Sequence, residues 1–196
     1  MKTTRTYTMS ARAGTVAATR ERIARQAMAL FLEHAYEDVT LAAIAKAAGV
    51  SHQTVLNHFE SKDGVVLAVA ELLAAETRSA RYDAEPGDVA GAVRALVGDY
   101  ERIGDANFRW AASERLQNLA ELLDEARRSH QEWLVAMFGD RLPADAAARR
   151  RSVHALHAAT DVYSWKLLRR DLGLSRSETE KTMAGLVAGV LEGTTR

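Results

Sequence analysis

Residues 41–59 read LAAIAKAAGVSHQTVLNHF and decide the fold of this 196-residue chain. Ala45 is a small residue where two helices would cross closely, and Gly49 follows where a left-handed backbone would end the first of them. Thr40 and Ser51 precede the two helical stretches and are typical N-caps. The spacing predicts a helix-turn-helix, which places its second helix in the DNA major groove. An ordinary helical hairpin is the alternative.

The second helix of this motif carries mostly polar side chains. Hydroxyl, amide and imidazole groups suit phosphate oxygens and base edges, so we expect this helix to contact DNA. Gln53 and Asn57 are four residues apart and therefore share one helix face. A glutamine there can make a bidentate contact to adenine.

The stretch from Thr19 to Glu71 resembles the N-terminal domain of the TetR/AcrR family of bacterial transcriptional regulators. The resemblance is carried by a TRERI helix start, the Leu30–Phe31 pair, Tyr36, the AAGVS turn, the TVxNHF pattern and a Ser-Lys-Asp sequence at 61–63. The helical periodicity of the chain, without any strand pattern, predicts an all-α fold of about nine helices. The resemblance implies a three-helix helix-turn-helix DNA-binding domain followed by a C-terminal helical domain for ligand binding and dimerisation.

The resemblance also implies roles for individual residues. Thr40 and Lys62 match positions that contact phosphate at helix N-termini, where the helix dipole favours anions. Thr54 matches a threonine whose hydroxyl reaches phosphate or base. Simple capping by Thr40 and a solvated Lys62 are the alternatives. The full set expected to bind DNA is Thr40, Ser51, His52, Gln53, Thr54, Leu56, Asn57, His58 and Lys62.

Three positions depart from the family pattern. Gln53 stands where the family often has glycine, and Leu56 replaces a frequent tyrosine. Leu56 would pack inside or touch a thymine methyl group. Ala35 occupies a usual glycine at the end of the first helix, and a left-handed backbone there would cost about 1 kcal/mol relative to glycine.

Composition and charge support a helical DNA-binding protein. Hydrophobic residues make up 47% of the chain, charged residues 27%, and there are two prolines and no cysteines. The absence of cysteine excludes disulfides and thiolate metal sites. Residues 1–62 carry eight Lys or Arg against five Asp or Glu, whereas the remainder is net acidic. With no apolar run of membrane-spanning length and no secretion signal, we expect a cytoplasmic protein without a membrane partner.

The periodicity predicts helices throughout, in three regions. Residues 1–15 are expected to form a basic flexible arm, either adding phosphate contacts or having no role. Residues 16–81 would form the DNA-binding domain with its connecting helix, and residues 82–196 the effector-binding and dimerisation domain. The boundary is placed at YDAEPGD, residues 82–88, because its proline and glycine break the helical pattern. Helices are expected at about 88–104, 107–117, 118–139 and 144–171, with a last one capped by Ser175.

Dimerisation is expected because one short recognition helix seldom gives enough specificity alone. The last two helices would form the interface, as the resembling family implies, and Gly185, Gly189 and Gly193 would allow close helix approach. Packing within one chain is the alternative. The expected interface residues are Leu156, Thr160, Tyr163, Met183, Leu186, Val187 and Val190.

A small-molecule effector is expected because the family usually senses one among its middle helices. Aromatic side chains concentrate there, which suits a small apolar or aromatic ligand, although such residues are more often plain core. The candidate wall residues are Phe108, Trp110, Trp133 and Met137, with Asp161 as a polar contact.

Two other classes of function have weaker support. His154, His157 and Asp161 share one helix face and are compatible with a metal site, but hydrogen-bonded interface groups explain them better. No nucleophile motif or phosphate loop points to an enzyme, so neither catalysis nor a cofactor is expected. The sequence therefore predicts a homodimeric repressor that a small molecule releases from a palindromic operator in double-stranded DNA. The alternative is a helical protein-interaction module without specific DNA binding.

Overall fold

A computed structural model describes residues 4–112 and 120–193, with side chains described at 14–110 and 121–193. All regular secondary structure in these ranges is helical, as the sequence predicts. The α-helices are α1 (Thr4–Glu33), α2 (Leu41–Ala48), α3 (His52–Phe59), α4 (Lys62–Arg81), α5 (Val89–Ala112), α6 (Ala120–Phe138), α7 (Ala146–Thr160), α8 (Val162–Lys166) and α9 (Arg176–Gly193). Single 3-10 turns occupy Tyr36–Asp38 and Gly139–Arg141, and a π-helical turn occupies Leu167–Asp171.

The chain divides into two compact units, residues 1–73 and 74–196. This division falls within α4, earlier in the chain than the composition break at 82–88. In the N-terminal unit α1 packs on α2, and α2 packs on α3. Apolar side chains from all three helices are fully buried, which removes their surface from water and fixes the motif on α1. They include Ile23, Ala27, Phe31, Ile44 and Val55.

The first helix begins earlier than the sequence suggested. α1 starts at Thr4 rather than at the TRERI sequence, so residues 4–15 are helical instead of forming a flexible arm. Nothing in this stretch interrupts a helix: it has no proline, and its single glycine, Gly14, is tolerated in a helix interior. The first three residues of the expected arm lie outside the described range.

In the C-terminal unit α5 is the central helix, packing on both α8 and α9. α7 also packs on α9, and α6 on α7. Two buried tryptophans, Trp133 and Trp165, are the largest side chains of this core. Gly104 allows α5 to lie against the second of them, because a Cβ atom at this position would be 2.5 Å from the Trp165 ring.

The helix boundaries in this unit differ from the sequence expectation in two places. α5 runs without a break to Ala112, across the expected gap between residues 104 and 107. The expected helix over 144–171 is interrupted at Asp161, whose backbone is extended (ψ 154°) and whose carboxylate accepts a hydrogen bond from the Tyr163 N–H. A side chain that satisfies a backbone donor locally competes with the helix, which is why α8 restarts here.

Four of the expected dimer-interface residues are not at the surface. Leu156, Thr160, Met183 and Val187 are each fully buried within the chain's own core. The sequence could locate the apolar stripe of α9 but not which partner it faces, and the stripe packs against α5 and α7. Tyr163 and Leu186 are exposed, and Val190 is half-buried.

Candidate nucleic-acid interface

The turn between α2 and α3 has the predicted geometry. The Thr40 side chain accepts a hydrogen bond from the Ala43 N–H at 3.1 Å and so caps α2. Gly49 has a left-handed backbone (φ 63°), which an L-residue would adopt only with strain. The N–H groups of Gly49 and Val50 return to carbonyl groups of Lys46 and Ala45, closing the last turn of α2.

α3 begins at a second side-chain cap. Ser51 Oγ accepts a hydrogen bond from the Thr54 N–H at 3.0 Å and lies 2.8 Å from the Thr54 hydroxyl. Both hydroxyl groups are therefore used in fixing the helix start. An N-cap of this kind contributes about 1 kcal/mol. Thr40 and Ser51 are confirmed as caps, while their contact with DNA stays a prediction.

The eight residues of α3 separate into an inner and an outer face. Val55 and Phe59, four residues apart, are buried. Gln53 and Asn57 are exposed on the other side, and His52 is exposed in the first turn of the helix. Thr54, Leu56 and His58 are half-buried and lie between the two faces. The residues expected to read DNA are thus brought together on one accessible surface of the helix.

The two amide side chains on this surface are hydrogen-bonded to each other. Gln53 Nε2 donates to Asn57 Oδ1 at 2.9 Å. The i,i+4 spacing seen in the sequence therefore produces a direct contact, which links the orientation of one amide to that of the other.

Two arginines of α1 hold the ends of the motif helices. Arg20 donates to the carbonyl oxygen of His58, and its guanidinium lies 4.3 Å from the centre of the Phe59 ring. Arg22 donates to the carbonyl oxygen of Ala48 at 3.2 Å. Cations at helix C-termini satisfy the last carbonyl groups and complement the helix dipole. The sequence shows these arginines only as part of the basic N-terminal region, and it does not predict that they bind helix C-termini.

Lys62 begins α4, as expected, and is held by the 3-10 turn. Its ammonium donates to the carbonyl oxygen of Tyr36 and lies 3.9 Å from the centre of that ring. The Tyr36 hydroxyl in turn donates to Asp63 at 2.6 Å. Ala35, before the same turn, has an extended backbone (φ −65°, ψ 152°), so the cost of a left-handed alanine does not arise.

The C-terminal unit contains a buried polar group that the sequence did not reveal. We call Arg81, Asp99, His130 and Thr160 the Arg81 cluster. Arg81 donates to Asp99 Oδ2 and to His130 Nδ1, each at 3.0 Å, and His130 Nε2 lies 2.8 Å from the Thr160 hydroxyl. Because arginine stays protonated, Nδ1 is the acceptor, and a neutral His130 donates from Nε2 to Thr160. The cluster thus joins α4, α5, α6 and α7 within this unit.

Burial changes the acid–base properties of groups at the Arg81 cluster. Burial, followed by the charges of Arg81 and His157, lowers the pKa of His130 from 6.5 to about 3. Burial also raises the pKa of the neighbouring Tyr100 to about 12, although the Arg81 charge opposes this. Tyr100 donates to the carbonyl oxygen of Thr160 at 3.0 Å. His130 of the cluster and the neighbouring Tyr100 are therefore both neutral at physiological pH.

The residues expected to bind an effector lie in different surroundings. Trp133 and Met137 are buried core residues, and the Trp133 ring nitrogen donates to the carbonyl oxygen of Arg81 at 3.3 Å. Half-buried Phe108 packs edge-on against Tyr163, with ring centres 5.5 Å apart. Half-buried Trp110 follows near the end of α5. Asp161 caps α8 and pairs with His157 at 3.2 Å.

The described residues contain no cluster of three or more His, Cys, Asp or Glu positioned to hold a metal ion. His157 instead contacts Asp161, and His154 is exposed. Burial raises the pKa of Asp161, but its hydrogen bonds from His157 and from the Tyr163 N–H outweigh this, and the pKa lies below its ordinary value. Across the described ranges, no helix has the length and hydropathy needed to cross a membrane.

Comparison with known proteins identifies the motif. The family model for bacterial regulatory proteins of the tetR family matches residues 23–69, which cover the last third of α1, all of α2 and α3, and the start of α4. Over these residues the chain matches the DNA-binding region of the TetR family. The match falls on the helix-turn-helix described above.

Relatives extend the likeness beyond the motif. The HTH-type transcriptional regulator TcmR of Streptomyces glaucescens is 35% identical over 124 residues, which are 58% of this chain and 54% of TcmR. The chain thus spans about half the length of that curated relative. A tetR-family regulator from Streptomyces coelicolor has the same fold, with a TM-score of 0.73 and 17% sequence identity. The match covers 91% of this chain and 82% of that protein. A transcriptional regulator from Rhodococcus has a TM-score of 0.72 and 20% sequence identity, and the match covers 90% of this chain and 98% of that protein.

Proposed function

We propose that this protein is a homodimeric repressor that binds a palindromic operator and leaves it when a small molecule binds the C-terminal unit. The observation that carries the DNA-binding part is the outer face of α3. Its exposed polar side chains are fixed at the helix start by the Ser51 cap and stand opposite the buried Val55 and Phe59. A regulator of transcription acts on the chromosome, so we place the protein in the cytoplasm.

The expected DNA contacts divide by chemistry. Thr40, Ser51 and Lys62 lie at helix N-termini, where backbone N–H groups and the helix dipole attract phosphate. Gln53 and Asn57 lie on the exposed face, which suits base edges. We assign His52, Thr54, Leu56 and His58 to contacts between these two groups.

A line of glycines on α9 supports the dimer. Gly185, Gly189 and Gly193 lie at four-residue spacing, and a Cβ atom at any of them would meet no atom within 4 Å. Glycine within a helix costs roughly 0.5–1 kcal/mol relative to alanine, and no packing among the described residues requires it at these positions. Close packing against α9 of a second copy would explain why glycine occurs at these three positions.

Exposed apolar side chains of the C-terminal unit would give the dimer surface its driving force. Leu186 on α9 is 49% exposed, and Tyr163, Leu167 and Leu172 are exposed around α8. Together with the half-buried Val190, they replace the four buried residues in the interface we propose. Burial of such a surface by a second copy would be favourable, since each apolar Å² removed from water contributes about 25 cal/mol.

The effector is proposed to be small and apolar or aromatic. Phe108 and Trp110 remain partly accessible near the end of α5, and Tyr163 extends this aromatic surface. Trp133 and Met137 lie in the core, so their contact with an effector would require the helices around them to separate. An effector can shift the protein only by its difference in affinity for the DNA-bound and released forms.

The test of DNA binding is selection of bound duplexes from a random pool, followed by titration of the recovered sequence at several salt concentrations. We expect a palindrome with half-sites about 34–36 Å apart or a multiple of this distance, and affinity that falls as salt rises. Recovery of no sequence, with only weak salt-sensitive binding, would favour a helical interaction module instead. An Arg94→Ala variant, which removes an exposed cation of α5 outside the helix-turn-helix, should recover the same palindrome with the same affinity.

The dimer has a separate test by sedimentation velocity. We expect the unmodified protein to sediment as a dimer at micromolar concentration, and Gly189→Leu to sediment as a monomer with unchanged helix content. Leu67→Ala, altering another exposed apolar residue, should remain dimeric. A dimeric Gly189→Leu protein would exclude this face as the interface.

A further inference from the structure

We propose that Asn57 makes Gln53 selective for adenine, so that each half-site carries an adenine opposite Gln53. The inference rests on the proposed insertion of α3 into the major groove and specifies what this helix reads. It concerns a feature of this chain in particular, the hydrogen bond between two exposed amides on the recognition helix.

The positions of the two residues favour base contacts. Gln53 is the second residue of α3, and the N-terminal residues of a recognition helix are those that reach base edges. The Ser51 cap fixes the backbone at this point, since Ser51 Oγ accepts from the Thr54 N–H. Both amides are exposed, and among the described residues neither side chain has another protein hydrogen bond.

The hydrogen bond to Asn57 changes what Gln53 can offer to DNA. A free glutamine amide has one carbonyl oxygen and two N–H groups. One of these N–H groups is donated to Asn57 Oδ1 at 2.9 Å. Gln53 therefore retains one acceptor and one donor, and the rotation that would exchange them keeps the hydrogen bond only if the Asn57 amide turns over as well.

This remaining pair of groups matches one base edge in the major groove. Adenine presents the N6 amino group as donor and N7 as acceptor, which meet Oε1 and the second N–H of Gln53. Guanine presents two acceptors, O6 and N7, and would need both N–H groups of one amide. In the observed arrangement Asn57 occupies one of them, so contact with guanine would require both amides to turn over together or the internal hydrogen bond to break. Asn57 is thus a positioning residue that acts through Gln53.

The first part of the test compares base preferences of variants on the operator recovered from the random pool. Each operator position is changed in turn, and the dissociation constant is measured by fluorescence anisotropy with the full-length protein. For the unmodified protein we expect one adenine per half-site at which guanine weakens binding about 5- to 140-fold, the range for one bidentate contact. Gln53→Ala should abolish this preference, while other positions keep theirs.

The second part separates positioning by Asn57 from direct reading. Asn57→Ala should reduce the adenine-to-guanine ratio at that position to within about threefold, the amide of Gln53 being then free to rotate. Asn57→Asp keeps the acceptor and should restore the ratio, although its charge weakens binding to every sequence. Gln26→Ala, at an exposed glutamine of α1, should change neither quantity.

A modified base tests the predicted atoms. Replacing the adenine by 7-deazaadenine removes the N7 acceptor, and we expect weaker binding by the unmodified protein but unchanged binding by Gln53→Ala. An unchanged adenine-to-guanine ratio in Asn57→Ala, or an operator without an adenine sensitive to Gln53, would overturn the inference while leaving operator binding intact. Recovery of no operator would overturn both the inference and the proposed function.

Discussion

Polar side chains serve opposite purposes in the two units of this protein. On α3 the Gln53 and Asn57 amides are exposed and, within the described part of the chain, hydrogen-bond only to each other, leaving groups available to an external partner. In the Arg81 cluster, Asp99 accepts hydrogen bonds from Thr77, Arg81 and Arg102 inside the C-terminal unit. Polar residues thus form a binding surface where the fold leaves them in water, and they hold helices together where the fold encloses them.

Loss of the Asp99 carboxylate should have the largest effect on stability. Asp99→Ala would leave the Arg81 guanidinium buried without its counter-ion, and breaking a buried pair costs about 3–5 kcal/mol. Urea unfolding followed by circular dichroism measures this loss in the free energy of unfolding. Asp124→Ala removes an exposed i,i+3 partner of Arg127 and should cost at most about 0.5 kcal/mol. Equal costs for the two variants would contradict the distinction between buried and exposed polar groups.

A pair of glycine variants compares the enclosed and the open faces of the C-terminal unit. Gly104→Ala would force the buried Trp165 ring to move, because the new Cβ would lie 2.5 Å from it, and we expect a loss of about 1–3 kcal/mol. Gly185→Ala places its Cβ in open space and should stabilise the isolated chain by roughly 0.5–1 kcal/mol. Thermal unfolding at low protein concentration distinguishes them. Destabilisation by Gly185→Ala under these conditions would mean that the chain itself requires the glycine.

The buried histidine should make stability depend on pH. Unfolding raises the pKa of His130 from about 3 to about 6.5, so the unfolded chain binds more protons between these values. Above pH 6.5 His130 therefore causes no loss of stability. Below pH 6.5 it lowers the free energy of unfolding on acidification, by up to about 1.4 kcal/mol per pH unit. The measurement is urea unfolding at several pH values. His130→Gln should show a shallower dependence, while the exposed His154→Gln should keep that of the unmodified protein. The same slope in all three proteins would exclude His130 as its source.

The smallest effect is expected at the start of α3, where one side chain is assigned two roles. Ser51→Ala removes the cap and should cost about 1 kcal/mol of stability. Ser51→Asp keeps a capping oxygen but adds a negative charge, so it should preserve stability and weaken DNA binding. Ser175→Ala, at the cap of α9, should cost a similar amount without affecting DNA binding. Full DNA affinity in Ser51→Asp would remove Ser51 from the phosphate contacts.

Much of the candidate site could be predicted because its signals are short-range. The Thr40 and Ser51 caps and the left-handed Gly49 are interactions between residues at most four apart. The Ser175–Glu178 capping box is equally local and forms both of its expected hydrogen bonds. Such features depend on residue type and spacing alone, which a sequence displays directly.

The interface prediction failed for some residues because burial is not local. The apolar stripe of α9 is visible as a periodic pattern, but Met183 and Val187 on it lie in the chain's own core. Only the packing of α9 against α5 and α7 shows that Leu186 and the glycine line remain exposed. The helix break at Asp161 has a local cause, the hydrogen bond from the Tyr163 N–H to the Asp161 carboxylate. It was not predicted because the surrounding residues continue the helical pattern.

The sequence by itself determined the helix-turn-helix, its caps and the polar composition of α3, because these arise from contacts within one or two helical turns. Only the tertiary structure decided that Arg81 meets Asp99 and His130, which are 18 and 49 residues away along the chain. It likewise decided which face of α9 is enclosed. The physical reason is that a side chain's surroundings depend on which helices pack against it, whereas a helix pattern records only the spacing of residues along one helix.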